Sequence, residues 1–391
     1  MHKAPTIALT IHASHRVRRD FLRGVAKYAR VHGPWNLTPA GDARGLSIEQ
    51  VRQEGIDGII GDITEEIAAC ALDLGVAMVA TNPFPKEQRP DSVLARLSSV
   101  NFDTADKIAA LAIDHFTQRN FQHFAYVGYS DVSWSSQREM AFQSKLSEIG
   151  VECAVFHQTG SDRGRDWEVE QPALTHWIEE LPKPVAILAC NDERGREVLD
   201  ACFLAGISVP SEVAVLGVDN DDVFCSIANP PMSSVVLNAD AAGYRAAELI
   251  EGQLKKTIQV PQRIDIEAIG IITRLSTDSV VVEEPDVAAA MRRIRELHGI
   301  GVTVGELADE LSVSQRTLQK LFRKSVGRTV FEEIQLARLE YAQQLLLETA
   351  LSIEEVAVKS GFDTHDYFVQ FFRRRVGVSP RKFRLARGAD G

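Results

Sequence analysis

Short runs of β-branched and aliphatic residues recur through the first part of the chain, at Ile7 to Ile11, Gly58 to Ile63, Val76 to Ala80, Phe124 to Gly128, Val185 to Cys190 and Val213 to Asp219. Each has the length of a strand buried on both faces rather than of a helix. Between them the apolar positions adopt a three-to-four spacing, as in Phe21, Leu22, Val25 and Ala29, in Ile108, Leu111 and Ala112, and in Leu199, Cys202 and Phe203. Alternating strands and amphipathic helices predict parallel sheets covered on both faces, and about 280 residues suit two such lobes.

Near residue 280 the pattern changes. Ser276 to Asp286 is rich in small and acidic residues with one proline, and only helical spacing follows it. A linker is expected at 279–286, between an α/β region at 1–278 and an all-α domain at 287–391.

That second domain repeats itself. Leu321 to Gly327 matches Phe371 to Gly377 in residue type at an offset of 50, and Leu318 lies over Phe368 at the same offset. Each copy opens on a capping-box signal, Thr303 with Glu306 and Ser352 with Glu355. A first helix then shows Val304, Leu307, Ala308 and Leu311 on one face, matched by Ile353, Val356 and Ala357 in the second copy. Turns are expected at Ser312 to Ser314 and at Ser360 to Thr364, with Gly361 closing its helix in the left-handed conformation. The next helices bury Leu318, Leu321 and Phe322 in one copy and Phe368, Phe371 and Phe372 in the other. The pattern is helix-turn-helix twice.

Such a unit holds its second helix in a major groove of DNA, where side chains reach base edges and neighbouring basic groups meet phosphates. The outward residues are Gln315, Arg316, Gln319, Lys320 and Arg323 in the first copy and His365, Asp366, Gln370, Arg373 and Arg374 in the second. Amides and guanidiniums make the bidentate contacts that tell adenine and guanine apart. Val330 to Glu348 joins the copies as a helix of 19 residues, about 28 Å long against about 34 Å for a DNA turn.

The net charge of -11 looks wrong for a nucleic-acid partner until it is divided. From Pro285 on there are 17 Lys+Arg against 14 Asp+Glu, a balance of +3, and before it 26 against 40, a balance of -14. Arg373, Arg374, Arg375, Arg381, Lys382, Arg384 and Arg387 concentrate the positive charge near the carboxyl end. A solvated basic face is the plain rival, and the repeat decides against it.

At 391 residues with 45% hydrophobic, 25% charged and 7% aromatic positions, the chain reads as a multidomain globular protein, not a disordered or collagenous one. No apolar run approaches the roughly 18 residues of a membrane span, and Ile7, Leu9 and Ile11 alternate where a signal peptide would have its apolar core. A cytoplasmic location without a membrane partner is expected. Cys70, Cys153, Cys190, Cys202 and Cys225 have neither metal-site nor disulfide spacing and read as small buried hydrophobes.

The strands end in polar residues: His12 and Ser14, Asp62, Thr81 and Asn82, Tyr129 and Ser130, Asn191 and Asp192, Asp219 and Asn220. Ligands of open α/β sheets sit beyond these ends. No glycine-rich phosphate loop accompanies them, so no cofactor is expected, and carboxylates and amides without a phosphate cradle suit a neutral polyhydroxylated ligand. Turn-forming Asn and Asp are also common caps. A sugar-modifying enzyme with Asp192 and Asp219 as acid and base is one alternative, lacking a metal cluster or nucleophile to complete it, and a transport binding protein is another.

The helical domain resembles the AraC/XylS family of transcription regulators. The resemblance rests on Gly361-Phe362, Tyr367-Phe368, Phe371-Phe372-Arg373, Gly377, Ser379-Pro380 and Phe383-Arg384. The first domain resembles the periplasmic-binding-protein-like sensor of the LacI/GalR family. Together they imply an α/β two-lobed sensor followed by an all-α domain with two helix-turn-helix motifs. The implied lobes are about 1–103 plus 237–262 and 104–236 plus 263–278, with sugar bound between them. Arg138, in the W-x-x-x-R pattern from Trp134, is implied to reach into the cleft, and Asp192 and Asp219 to accept hydrogen bonds from sugar hydroxyls. A surface ion pair is the rival for Arg138. Trp134 reads equally as a sugar-stacking ring or a core tryptophan, and His15 and Arg16 lie on the rim after the first strand. The implied function is a sugar-responsive transcription regulator, not an enzyme. Its partners would be an operator duplex, a sugar effector with D-xylose as first choice, and a second copy of the chain.

Overall fold

The computed structural model describes residues 4–40, 46–53, 55–81, 92–102, 104–130, 132–158, 167–258, 260–278, 282 and 284–385. Asn82, Arg387 and part of the expected linker, 279–281 and 283, lie outside them.

The chain begins with β1 (Thr6–Thr10), α1 (Arg16–His32), β2 (Asn36–Pro39), α2 (Ile48–Gln53), β3 (Gly58–Gly61), α3 (Glu65–Asp73), β4 (Ala77–Thr81) and β5 (Ser98–Asn101). It continues through α4 (Ala105–Thr117), β6 (His123–Tyr129), α5 (Ser133–Glu148), β7 (Cys153–Gln158), α6 (Trp167–Glu180), β8 (Val185–Ala189), α7 (Asp192–Ala205), β9 (Val213–Val218), α8 (Asp222–Ile227) and β10 (Ser233–Leu237). After α9 (Ala239–Leu254), β11 (Arg263–Asp265) and β12 (Ala268–Ile272), the rest is helical: α10 (Pro285–Glu296), α11 (Val304–Glu310), α12 (Gln315–Val326), α13 (Val330–Glu348), α14 (Ile353–Lys359), α15 (His365–Val376) and α16 (Pro380–Leu385). None of the described helices is long and apolar enough to cross a membrane.

Two compact units result. One holds the residues up to Thr104 with Leu237–Ala268, the other Ala105–Val236 with Ile269–Leu385.

The first unit is built on the sheet β11-β5-β4-β3-β1-β2, parallel throughout. Ile7 stands beside Gly58 and Leu9 beside Ile60, so the apolar runs fall in register with Ile7, Ile59 and Ile60 fully buried. Helices α1 and α9 pack backbone against backbone, because each offers a glycine where they meet. A methyl on Gly24 would lie 2.0 Å from the Asp240 carbonyl oxygen, and one on Gly243 would lie 1.9 Å from that of Phe21.

The second unit repeats the plan with the sheet β12-β10-β9-β8-β6-β7. Val127 pairs with Ala189, Leu188 with Leu216, and Gly217 with Ser234, which brings the carboxyl ends of β6, β8 and β9 level. Ile187, Val215, Leu199 and Cys202 close the core beneath. The helical portion belongs to this unit. Its first copy packs Leu307, Leu318, Phe322, Val330 and Ile334 around Met291 and Ile294 of α10. Its second copy is held by aromatic rings, Phe362 on Phe368, Phe368 on Phe372, and Phe372 on Phe383, at centroid distances of 5.1 to 5.6 Å. Both expected capping boxes are present, and a third, Thr329 with Glu332, opens α13. Gly361 has φ +77°.

Three expectations are corrected. Residues 263–268, assigned to the second lobe, lie in the first unit because β11 pairs with β5, Ile264 opposite Val100. Pro285 and Asp286, assigned to the linker, already form the first turn of α10, where a proline needs no N–H donor. Phe203, placed on the buried face of its helix, is 69% exposed because the buried stripe of α7 runs through Val198, Leu199 and Cys202.

Candidate ligand site and nucleic-acid interface

At the level carboxyl ends of β6, β8 and β9 the second unit gathers its polar residues. Asn191 caps α7, its side chain accepting from the Arg194 N–H at 2.9 Å. Asp192 follows as the first helical residue and is buried. Its Oδ1 accepts from the Ser234 hydroxyl and its Oδ2 from the Asp221 N–H, both at 2.5 Å. The carboxylate fits only because position 217 is glycine, since a methyl there would stand 2.2 Å from Oδ1. Burial pushes the Asp192 carboxyl well above the usual aspartate range, and the nearby charge of Asp219 adds to the shift.

Beyond β9 the backbone turns sharply. Asp219 and Asn220 both take positive φ, +101° and +51°, which costs non-glycine residues about 1–3 kcal/mol each and is concentrated at functional sites. Arg138, on α5, is buried and donates to the Cys190 carbonyl at 2.5 Å, with Nη2 3.8 Å from Asp219. Its guanidinium lies 5.1 Å over the ring of half-buried Trp134, which meets Tyr129 edge-on at 6.1 Å. Arg138 is therefore no surface ion pair, and one face of Trp134 is already covered by a cation.

The structure thus brings Arg138, Trp134, Asp192 and Asp219 into one cluster. His15 and Arg16 belong to the first unit. His15 precedes α1 without a side-chain cap, and Arg16 pairs with Asp20 at 3.3 Å. At neighbouring strand ends of that unit Asp62 accepts from Arg18 at 2.9 Å and from Thr81 at 2.7 Å.

Two members of the cluster carry no role in the sequence reading. Ser234 holds Asp192 from β10, SSVVL, and its only signal is the serine pair that opens this strand. Arg274 donates to Asn220 Oδ1 at 2.9 Å and to the Met232 carbonyl at 2.8 Å. No periodicity marks it. Carboxylate and amide acceptors beside two guanidinium donors and a ring edge can hold a polyol through paired hydrogen bonds.

On the helical portion, Gln315, Arg316, Gln319, Lys320 and Arg323 of α12 are exposed, as are His365, Asp366, Gln370, Arg373 and Arg374 of α15. Ser314 and Thr364 cap these helices through their hydroxyls. Arg374 and Arg375 lie over the Phe371 ring at 5.8 and 5.7 Å, which stiffens the basic face at the end of α15.

Comparison with known proteins agrees with both halves. Residues 113–277 match the periplasmic binding protein-like domain and residues 307–386 the helix-turn-helix domain. The xylose operon regulatory protein of Escherichia coli K12 is 28% identical over 98% of this chain and 97% of its own length. That of Haemophilus influenzae is 26% identical over 97% and 98%. Among solved structures, the xylose-binding transcription activator xylR superposes with a TM-score of 0.62 at 27% identity, covering 99% of this chain and 100% of that one.

Proposed function

From a chain that belongs to the AraC-type transcription regulators with a periplasmic-binding-protein-like sensor, we propose that a neutral sugar, D-xylose before others, binds at the Arg138, Asp192 and Asp219 cluster and alters operator binding. The chain is a regulator rather than a sugar-transforming enzyme, as its relatives are. The carrying observation is Arg138, buried and held by the Cys190 carbonyl and by Asp219, whose charge also acts on the buried Asp192, on the same chain as two exposed reading helices. Sugar hydroxyls donate to the carboxylates and accept from the guanidiniums of Arg138 and Arg274. Trp134 and Tyr129 bound the ring edge-on. His15 and Arg16 stand at the sensor's first strand end as further contacts. D-xylose is put first because regulators named for xylose match over nearly the whole chain.

Residues 1–278 act as the sensor and 287–391 as the reader, in the cytoplasm. Gln315, Arg316 and Gln319 of α12 and His365, Asp366 and Gln370 of α15 face base edges, and Lys320, Arg323, Arg373 and Arg374 face phosphates. A homodimer presents four reading helices, so a long operator of repeated half-sites is expected. The test is a titration of selected operator DNA with the full chain, with and without a panel of pentoses. A pentose that binds the folded chain raises its thermal midpoint, by about 2.7 kcal/mol of stability at 100 times Kd, and changes operator affinity. No response to any sugar removes the reading.

A further inference from the structure

The sugar cluster does not end at its own residues. Arg274, which holds Asn220 through its guanidinium, exchanges hydrogen bonds with Ser233 through its backbone: its N–H donates to Ser233 Oγ at 2.7 Å, and that hydroxyl donates to the Arg274 carbonyl at 3.0 Å. Ser233 and Ser234 are neighbours on β10, so their side chains point to opposite faces, one toward Thr277 and the other toward Asp192. Thr277 Oγ1 lies 2.7 Å from Ser233 Oγ and 2.8 Å from His115 Nε2. Arg119 takes the Thr277 carbonyl with Nε at 2.9 Å, His115 Nδ1 with Nη1 at 3.1 Å, and Glu340 Oε1 with Nη2 at 2.7 Å.

The proton positions along this path follow from chemistry. A guanidinium only donates, so His115 Nδ1 must accept from Arg119. Nε2 then carries the hydrogen and donates to Thr277, whose own hydrogen passes to Ser233 and leaves Ser233 to donate to Arg274. The side-chain bonds run one way, from the Arg119 cation to the Arg274 carbonyl, and the Arg274 N–H returns a bond to Ser233 Oγ. Burial lowers the His115 pKa well below its ordinary value, and the Arg119 and Arg295 charges lower it further, so the ring is neutral as this order requires.

The far end is the helix that joins the two readers. Glu340 lies near the middle of α13, and Arg295 of α10 reaches it at 3.7 Å while also pairing with Asp278 at 2.6 Å and Glu333 at 3.3 Å. Glu333, in the first turn of α13, takes Arg328 at 2.5 Å, just past the end of α12. Three cations and three carboxylates thus tie α13 to the sensor. Arg119 is 1% exposed. Breaking one member of such a buried set leaves a charge without its partner, so the cluster favours discrete arrangements over gradual ones.

We infer that Arg119 and Glu340 are positioning residues that transmit occupancy of the sugar cluster to α13, along the path Arg274, Ser233, Thr277 and His115. This rests on the proposed sugar reading. Sugar hydroxyls that donate to Asp192 or to Asn220 Oδ1 shift the Arg274 guanidinium, which holds Asn220, and its backbone moves Ser233 and Thr277 with it. α13 fixes the separation of the two reading helices, so a change in its seating alters how both meet one DNA duplex.

The test measures operator affinity of the full chain with and without saturating D-xylose, and D-xylose Kd, for wild type, Thr277→Val, Thr277→Ser and Glu340→Gln. Valine keeps the shape and the backbone carbonyl but removes the hydroxyl, and serine keeps the hydroxyl. The ratio of operator affinities is expected to fall by about fivefold or more in Thr277→Val and Glu340→Gln, with D-xylose Kd within about twofold of wild type. Thr277→Ser retains the wild-type ratio. Glu340→Gln leaves Arg119 and Arg295 short of a counter-charge, so Thr277→Val is the variant that decides if Glu340→Gln does not fold. A wild type that responds to D-xylose together with a Thr277→Val protein that responds equally overturns the relay alone. A wild type that does not bind D-xylose, or binds it with no change in operator affinity, removes the relay together with the coupling it rests on.

Discussion

Asp192 shows how the fold prepares a side chain for the proposed ligand role. It is buried at a helix start with both oxygens satisfied, and burial raises its pKa, with the charge of Asp219 second. Asp192→Asn keeps the shape, and the Ser234 hydroxyl can rotate to accept from the new amide. We expect the variant to fold with an unchanged or raised thermal midpoint while D-xylose Kd rises about 10- to 100-fold, the worth of a hydrogen bond to a charged acceptor. Calorimetric titration beside a melting curve checks both, and unchanged sugar affinity would take Asp192 out of the site. Asp192 and Asp219 were legible because polar residues directly after an apolar strand mark the open end of a parallel sheet. Ser234 and Arg274 were not, since their contacts depend on which strand neighbours β9 and on where the chain returns after β12.

Elements divide according to how local their causes are. The helical repeat was readable to the residue: α13 spans Val330–Glu348 as its spacing predicts, and the capping boxes stand where Thr303 and Ser352 place them. Their hydrogen bonds join residues three apart, so nothing distant is needed to form them. Strands β5 and β11, SSVN and RID, were missed because they are short, mostly polar and placed by pairing, β11 with β5 and β5 with β4, rather than by an apolar pattern. The reading helices carry a prediction at this level. Arg316→Ala is expected to relax base preference at one operator position by about 1–3 kcal/mol. Arg374→Ala is expected to weaken all sequences alike and reduce the salt slope by about one. Binding to an operator and its single-base variants at several salt concentrations separates them, and equal loss on every sequence for both would contradict the assignment.

For the molecule as a whole, stability should depend on pH through His115. Its folded-state pKa lies well below the ordinary 6.5 because it is buried, with the Arg119 and Arg295 charges beside it. The unfolded chain therefore takes up a proton below pH 6.5 that the folded chain refuses. The contribution is full above that value and is lost as pH falls, at up to about 1.4 kcal/mol per pH unit. Thermal midpoints of wild type and His115→Gln should converge or cross between pH 7 and 5, the variant showing the flatter profile, and parallel profiles would place the titration elsewhere. His115 sits on α4, more than two hundred positions before Glu340, and no sequence spacing connects them. The chain by itself determined an α/β half with polar strand ends and a duplicated DNA reader, because hydrophobic period, caps and repeats act over a few residues. Only the tertiary structure decided which strand ends meet, that Ser234 and Arg274 join them, and that Arg119 reaches α13, because register and long-range packing bring together side chains that carry no mark of one another along the chain.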